Sequence, residues 1–232
     1  MFTAVRELSA SRFAEVRQLL SHIKSVEHAR SDALTDPLEA TILRGLFYVH
    51  LYGAFEYAVH LSVTALLEAI SGTRVSYAHF AQLFHSVALD SRFEAAAFCG
   101  SDTKWAKRKE LLNDQKSQSP CILDEAMLDD QLQNIRFRTL ENLFECFCIS
   151  DPVVPELRLR GYIDEIVDNR NRVSHGRDSA NRVGAGSTSA ELERVLESIV
   201  LVTNHVIDSF DRHFIDRGFV EGAHRARYMA VS

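Results

Sequence analysis

Apolar side chains recur at three- and four-residue steps along most of the chain, the spacing of helical faces. Residues 2–31 carry Phe13, Val16, Leu19, Leu20, Ile23 and Val26 at this spacing, which predicts an amphipathic helix with a polar outer face. Asp36-Pro37-Leu38-Glu39 is a strong helix start: Asp36 caps, Pro37 fits the first turn, and Glu39 closes a capping box. The pattern then runs to Ile70 and stops at Ser71-Gly72. At ~1.5 Å per residue this helix is about 50 Å long. It is apolar nearly all round, as expected of the central helix of a bundle.

The middle of the chain is less regular. Residues 77–89, 92–98 and 104–116 read as short helices, the last of them exposed and charged, and 117–120 as a loop. Residues 129–149 read as a helix with Leu132, Ile135, Leu140, Leu143, Phe144 and Phe147 inward, broken by Asp151-Pro152 and Pro155. Residues 156–175 form another helix, ending at Gly176, and 177–187 a polar loop. Thr188-Ser189-Ala190-Glu191 is a capping box for a last long helix to about Arg217. There is no internal repeat and no convincing strand. The expected fold is all-α: a single helical-bundle domain over 1–232, with 73–125 an inserted or variable region of short helices and 218–232 a tail.

Composition narrows the picture. Ten glycines and four prolines in 232 residues are too few for an all-β chain with its many tight turns. A net charge of −6 means that any nucleic-acid contact uses a local patch. Among the cations, 21 are Arg and 5 Lys. Cys99, Cys121, Cys146 and Cys148 form no C-x-x-C pair and no zinc spacing, so reduced core thiols and no metal are expected. His50, His60, His79, His85, His205 and His213 are scattered among apolar residues without metal spacing and read as packed or surface groups. The N-terminal segment is amphipathic and charged, unlike a signal peptide. The most apolar stretch, Leu46 to Ile70, is interrupted by His50, Glu56 and His60, which argues against a membrane span. These features lead to the expectation of a cytoplasmic protein without cofactor.

Chemistry concentrates in Asp168-Asn169-Arg170-Asn171-Arg172-Val173-Ser174-His175-Gly176. Leu159, Ile163, Ile166, Arg170 and Val173 fall on one helical stripe, so Arg170 stands where the pattern asks for an apolar side chain. A guanidinium there needs an acid, a phosphate or an interface. Glu56, alone in an apolar run, is a candidate partner. His175 closes the helix, where the dipole favours a protonated imidazole. Arg170 and His175 lie about 140° apart on an ideal helix. They converge only at a distorted last turn or across a two-fold axis with a second copy. Arg172, Arg177 and Arg182 complete a window, 169–186, that holds four Arg and one acid, Asp178. The plain alternative is a solvated helix end with an ordinary His-Gly cap.

Arg170-Asn171-x3-His175, placed on the penultimate helix of an all-α chain, resembles the R-x4–6-H motif of the HEPN superfamily. The run 157–167 before it and Tyr48-Val49-His50-Leu51-Tyr52-Gly53-Ala54-Phe55-Glu56 look like the corresponding helices of HEPN proteins from toxin–antitoxin and antiviral-defence loci. The resemblance covers roughly residues 10–217; the region 73–125 departs from it. It implies a metal-independent endoribonuclease of toxin or defence type that works as a homodimer, with both motifs lining one composite cleft. RNA would be the substrate, and an antitoxin protein a potential partner. In that chemistry His175 is the general acid or base and Arg170 clamps the phosphate. Asn171 orients the phosphate or His175, Arg172, Arg177 and Arg182 hold the RNA backbone, and Glu56 supports Arg170. Two other readings stand beside it: a non-catalytic HEPN module binding RNA, nucleotide or a partner protein, and a scaffold whose Arg170 is only an interface ion pair.

Overall fold

Three long helices and a set of shorter ones build the protein, with no sheet among the described residues, 2–28 and 36–229 of the computed structural model. Helix α1 is Phe2–His28 and α2 is Leu38–Thr73. Short helices follow: α3 His85–Ala88, α4 Asp90–Phe98, α5 Lys104–Asp114 and α6 Phe137–Cys146. Then come α7 Arg160–Ser174, α8 Ala180–Gly184, α9 Ser189–Ile215 and α10 Arg225–Tyr228. The last residues of the predicted 2–31 helix, and 230–232 of the predicted tail, lie outside the described residues. No described helix is long and apolar enough to cross a membrane. The all-α expectation holds.

By their packing the residues divide into two compact units. The first combines residues up to 62 with 131–139 and 154–207. Its core is α2, whose Phe47, Tyr48, Leu51, Tyr52, Phe55, Ala58 and Val59 are all buried, together with Ile163, Ile166 and Val167 of α7. Exposed pairs Arg17–Glu197 (3.2 Å) and Lys24–Glu193 (2.8 Å) link α1 to α9. A buried cation, Arg44, is matched on several sides: 2.7 Å to Glu27, 2.6 Å to Asp36, and a 2.9 Å hydrogen bond to the Ser187 carbonyl. Asp36 is held below the usual carboxylate range chiefly by that Arg44 hydrogen bond.

Helix α8 sits directly on α2 because both carry glycine where they touch. A Cβ on Gly45 would lie 2.0 Å from the Ala180 carbonyl oxygen, and one on Gly184 1.8 Å from that of Thr41. The Thr41 hydroxyl also donates to Asn181 across this contact. Within the polar loop expected over 177–187 the chain forms α8. Ser179 caps the extra turn, accepting from the Arg182 N–H at 3.2 Å. The capping box at the start of α9 forms as expected: Glu191 accepts from the Thr188 N–H at 2.7 Å, and Thr188 from the Glu191 N–H at 3.2 Å.

The second unit comprises 63–130, 140–153 and 208 onward. Its core is aromatic: Phe80, Phe84, Phe147, Phe210 and Phe219 are buried and meet ring to ring. The helix expected over 77–89 is replaced by a 3₁₀ turn at Tyr77–His79 and by α3. The reason is tertiary. The Ala81 N–H donates to the Phe219 carbonyl and the Glu221 N–H to the His79 carbonyl, both at 2.9 Å. These groups pair with the C-terminal segment instead of within a helix, and Phe219 and Val220 are fully buried. The four cysteines are free. Only Cys121 is buried, with its thiol pushed up to about 11 by burial; the other three are partly exposed, against the expectation of core thiols.

His213 is buried in this unit with its Nε2 lacking a hydrogen-bond partner. Burial, reinforced by the charge of Arg225, lowers its pKa from 6.5 to about 4. The unfolded chain therefore takes up the proton first, so His213 costs nothing above pH 6.5 and progressively destabilises as pH falls toward 4. At ~1.4 kcal/mol per unit, the loss reaches roughly 3 kcal/mol. His79, lowered by burial and by the His224 and Arg227 charges, acts in the same direction. Denaturant melts from neutral to acid pH are expected to show this decline, and His213→Phe to flatten most of it. An equal slope in the variant would exclude His213 as the cause.

Candidate functional site

Helix α7 carries the site. Its inner face is fixed by Ile163, Ile166 and Val167, and its outer face is tied by Arg136, which bonds Asp168 and lies 3.9 Å from Asp164. One turn beyond Ile166 the apolar stripe reaches Arg170, whose side chain is only 15% exposed. Its guanidinium carbon sits over the Tyr52 ring, 4.0 Å from the centroid. Nη2 is 3.6 Å from Glu56 Oε1, and Nη1 donates to Asn171 Oδ1 at 2.8 Å. The Glu56 side chain is 36% exposed, so the ion pair stays open to water on one side. The charge on the apolar stripe is thus compensated by an aromatic face, a carboxylate and an amide.

Tyr52 organises this cluster. Its hydroxyl donates to Glu56 Oε1 at 2.6 Å and accepts from the Ile135 N–H at 2.8 Å. Burial and then the Glu56 hydrogen bond push the phenol upward, so it remains a donor. The Ile135 contact also explains why the helix expected over 129–149 begins only at Phe137. Asn134 turns through φ 56°, and the next N–H goes to Tyr52. Tyr52→Phe keeps the ring beneath Arg170 but leaves that buried N–H without an acceptor. A loss of about 1–2 kcal/mol is expected. A melt equal to wild type would mean that the N–H finds another acceptor.

His175 follows the last residue of α7, and its N–H still bonds the Asn171 carbonyl at 3.1 Å. Gly176 then takes φ +66°, a left-handed value that side chains with Cβ rarely adopt, and the chain leaves the helix. The Asp178 N–H returns to the Arg172 carbonyl at 2.9 Å and closes the turn. The His175 side chain is exposed and makes no hydrogen bond or ion pair among the described residues. Arg170 thus faces the interior of the unit while the imidazole stands in solvent at the helix end.

The basic window divides. Asp178 draws in Arg172 at 2.8 Å and Arg182 at 3.3 Å, and the hydrogen bond from Arg172, followed by both charges, holds its carboxyl low. Arg172 also donates to Asn169 at 3.2 Å. Arg177 is exposed and has no ion pair among the described residues. The structure therefore brings Arg170, Asn171 and Glu56 together, gathers Arg172 and Arg182 around Asp178, and leaves His175 and Arg177 open. Tyr52 was not singled out by sequence reading. The signal for it was present: Tyr52 and Glu56 are four apart on one face of a helix that is otherwise apolar there.

Among the described residues no group of three or more His, Cys, Asp and Glu side chains is placed to hold a metal ion. The model of one protein family, RiboL-PSP-HEPN, matches residues 9–216. No curated protein and no solved structure matches the chain.

Proposed function

Because the chain belongs to the RiboL-PSP-HEPN family, which supports a nuclease or RNA-related module in general, we propose that it is an endoribonuclease of toxin or defence type. The observation that carries this reading is a guanidinium held in place on Tyr52 and beside Glu56, five residues before an exposed imidazole at the end of the same helix. The RNA 2′-hydroxyl attacks its own phosphorus, losing its proton to a base, while the bond from phosphorus to the 5′ oxygen breaks and that oxygen gains a proton. His175 serves as base or acid. Arg170, with Asn171, stabilises the charge that builds on the phosphoryl oxygens. A second copy, docked along the face of α7, supplies the other imidazole, so the working enzyme is a homodimer with one composite cleft. Arg177 is the free cation best placed in sequence to hold the backbone, and Arg172 and Arg182 contribute after exchanging Asp178 for phosphate.

A second reading rests on the three partners of Arg170: a guanidinium already occupied serves a scaffold or a binding module equally well. The experiment is cleavage of total RNA by the purified protein in excess EDTA, with mapping of the new ends and sedimentation of the same sample. Expected are cleavage unaffected by EDTA, ends bearing 2′,3′-cyclic phosphate, and the mass of two chains. Activity lost on chelation and restored by a divalent ion would end the Arg/His mechanism. No cleavage by a correctly folded dimer would leave the binding-module reading.

A further inference from the structure

The region 73–125 contains a surface of unusual composition. Four of the chain's five lysines, Lys104, Lys107, Lys109 and Lys116, fall within 104–116, together with Arg108 and the only tryptophan, Trp105. Elsewhere the chain uses arginine almost exclusively. Helices α4 and α5 pair as a hairpin tied by Arg92 to Asp114 at 2.7 Å, and neither helix contains a buried residue. Trp105 is 71% exposed and Phe98, at the end of α4, 87% exposed. The Arg108 guanidinium lies 5.3 Å from the centroid of the Trp105 ring.

Asp90 and Glu94 on α4 and Asp102 in the connection carry negative charge, so the basic face of the hairpin is that of α5, whose own two carboxylates do not neutralise it. Glu110 is taken by Lys107 at 2.7 Å and Asp114 by Arg92. Lys104, Arg108, Lys109 and Lys116 make no ion pair among the described residues and are exposed. A large exposed aromatic ring set among unpaired cations, on a hairpin without core of its own, has the chemistry that recognises an unpaired polynucleotide. The cations meet the phosphates, and the ring offers a face to a base. A solvated helix needs neither the tryptophan nor the excess of lysine over acid.

We propose that the α5 face of the α4–α5 hairpin is a single-stranded RNA-binding surface, with a base stacked on Trp105 and the backbone held by Lys104, Arg108, Lys109 and Lys116. It deepens the nuclease reading, on which the choice of RNA as the polyanion rests. It gives the protein a place to hold its substrate outside the Arg170–His175 segment, independent of the residues that cut.

Since Trp105 is the only tryptophan, its fluorescence reports this surface alone. The test titrates the His175→Ala protein, which leaves RNA intact, with a short oligouridine at several salt concentrations. Saturable quenching of Trp105 is expected, with affinity falling as salt rises. Lys104→Glu with Lys109→Glu is expected to weaken binding at least tenfold and to lower the salt slope by about 1.4, two contacts at ~0.7 each. Trp105→Leu, followed by anisotropy of labelled RNA, is expected to weaken it about tenfold. Melts equal to the parent would show that these exposed substitutions leave the fold intact. RNA binding without quenching, and unchanged by the double charge reversal, would overturn the proposal even if the protein cuts RNA. Quenching by anionic vesicles but not by RNA would also overturn it, as would emission that reddens on dilution as a second copy leaves the ring. Quenching by RNA in a protein that never cuts would uphold this surface and remove the nuclease reading instead.

Discussion

Replacing His175 by alanine is expected to reduce RNA cleavage by about a thousandfold while moving stability by no more than about 1 kcal/mol. The imidazole is exposed at a helix end and touches no hydrogen-bond partner among the described residues, so its removal opens no cavity and strands no polar group. Arg170 needs a different substitution. Alanine there would remove the cation over Tyr52 and leave Glu56 without its ion-pair partner, so lost activity and lost packing would be mixed. Arg170→Lys keeps the charge and loses the planar fork. Cleavage is expected to fall about a hundredfold, with a melt close to wild type. The measurement is cleavage of a defined RNA by all three proteins alongside their thermal transitions. Full activity in His175→Ala would remove the imidazole from the chemistry, and a large fall in melting temperature for both variants would make the motif structural.

Gly184→Ala is expected to be the most damaging single-methyl change in the chain. The new Cβ would sit 1.8 Å from the Thr41 carbonyl oxygen and 2.6 Å from the Gly45 nitrogen, both backbone atoms. No rotamer change relieves that; α8 must lift from α2. A loss of about 3 kcal/mol follows, or roughly 6–12 °C in melting temperature for a chain of this size. Gly53→Ala is the internal control. It lies on the same helix α2, is exposed, and its Cβ would meet nothing within 4 Å. The helix gains about 0.5–1 kcal/mol from losing a glycine there. Opposite shifts for two identical chemical changes would establish the glycine contact. Equal shifts would refute it. Because α8 begins shortly after Asp178, Gly184→Ala is also expected to loosen the Arg172–Asp178–Arg182 cluster.

What could be read from the sequence follows where the structural causes lie. Helices α1, α2 and α9 were legible because each has a sustained apolar face, and two of them have start signals at Asp36-Pro37 and Thr188–Glu191 that act over a few residues. Residues 77–89 and 129–136 depart from their expected helices for one reason. Their N–H groups are claimed from far along the chain, by Phe219 in one case and the Tyr52 hydroxyl in the other. Local propensity carries no record of such partners. The proximity of Arg170 and Glu56 was legible because a charge in an apolar stripe demands compensation. The grip of Asp178 on two arginines was not: four arginines against one acid read as a free patch, whereas the geometry lets that acid hold two of them.

The way the two units share the chain has a consequence for synthesis. The first draws on residues up to 62 and again on 154–207, the second on 63–130, 140–153 and 208 onward. Neither is a contiguous stretch, and α2, α6 and α9 each belong partly to both. As the polypeptide leaves the ribosome, Tyr52 and Glu56 emerge about a hundred residues before the helix that bears Arg170. Phe219, on which the aromatic core closes, comes later still. No contiguous segment contains the whole of one unit and none of the other. Folding waits on distant pairings, which makes it slow, and a product terminated before residue 207 lacks part of both cores.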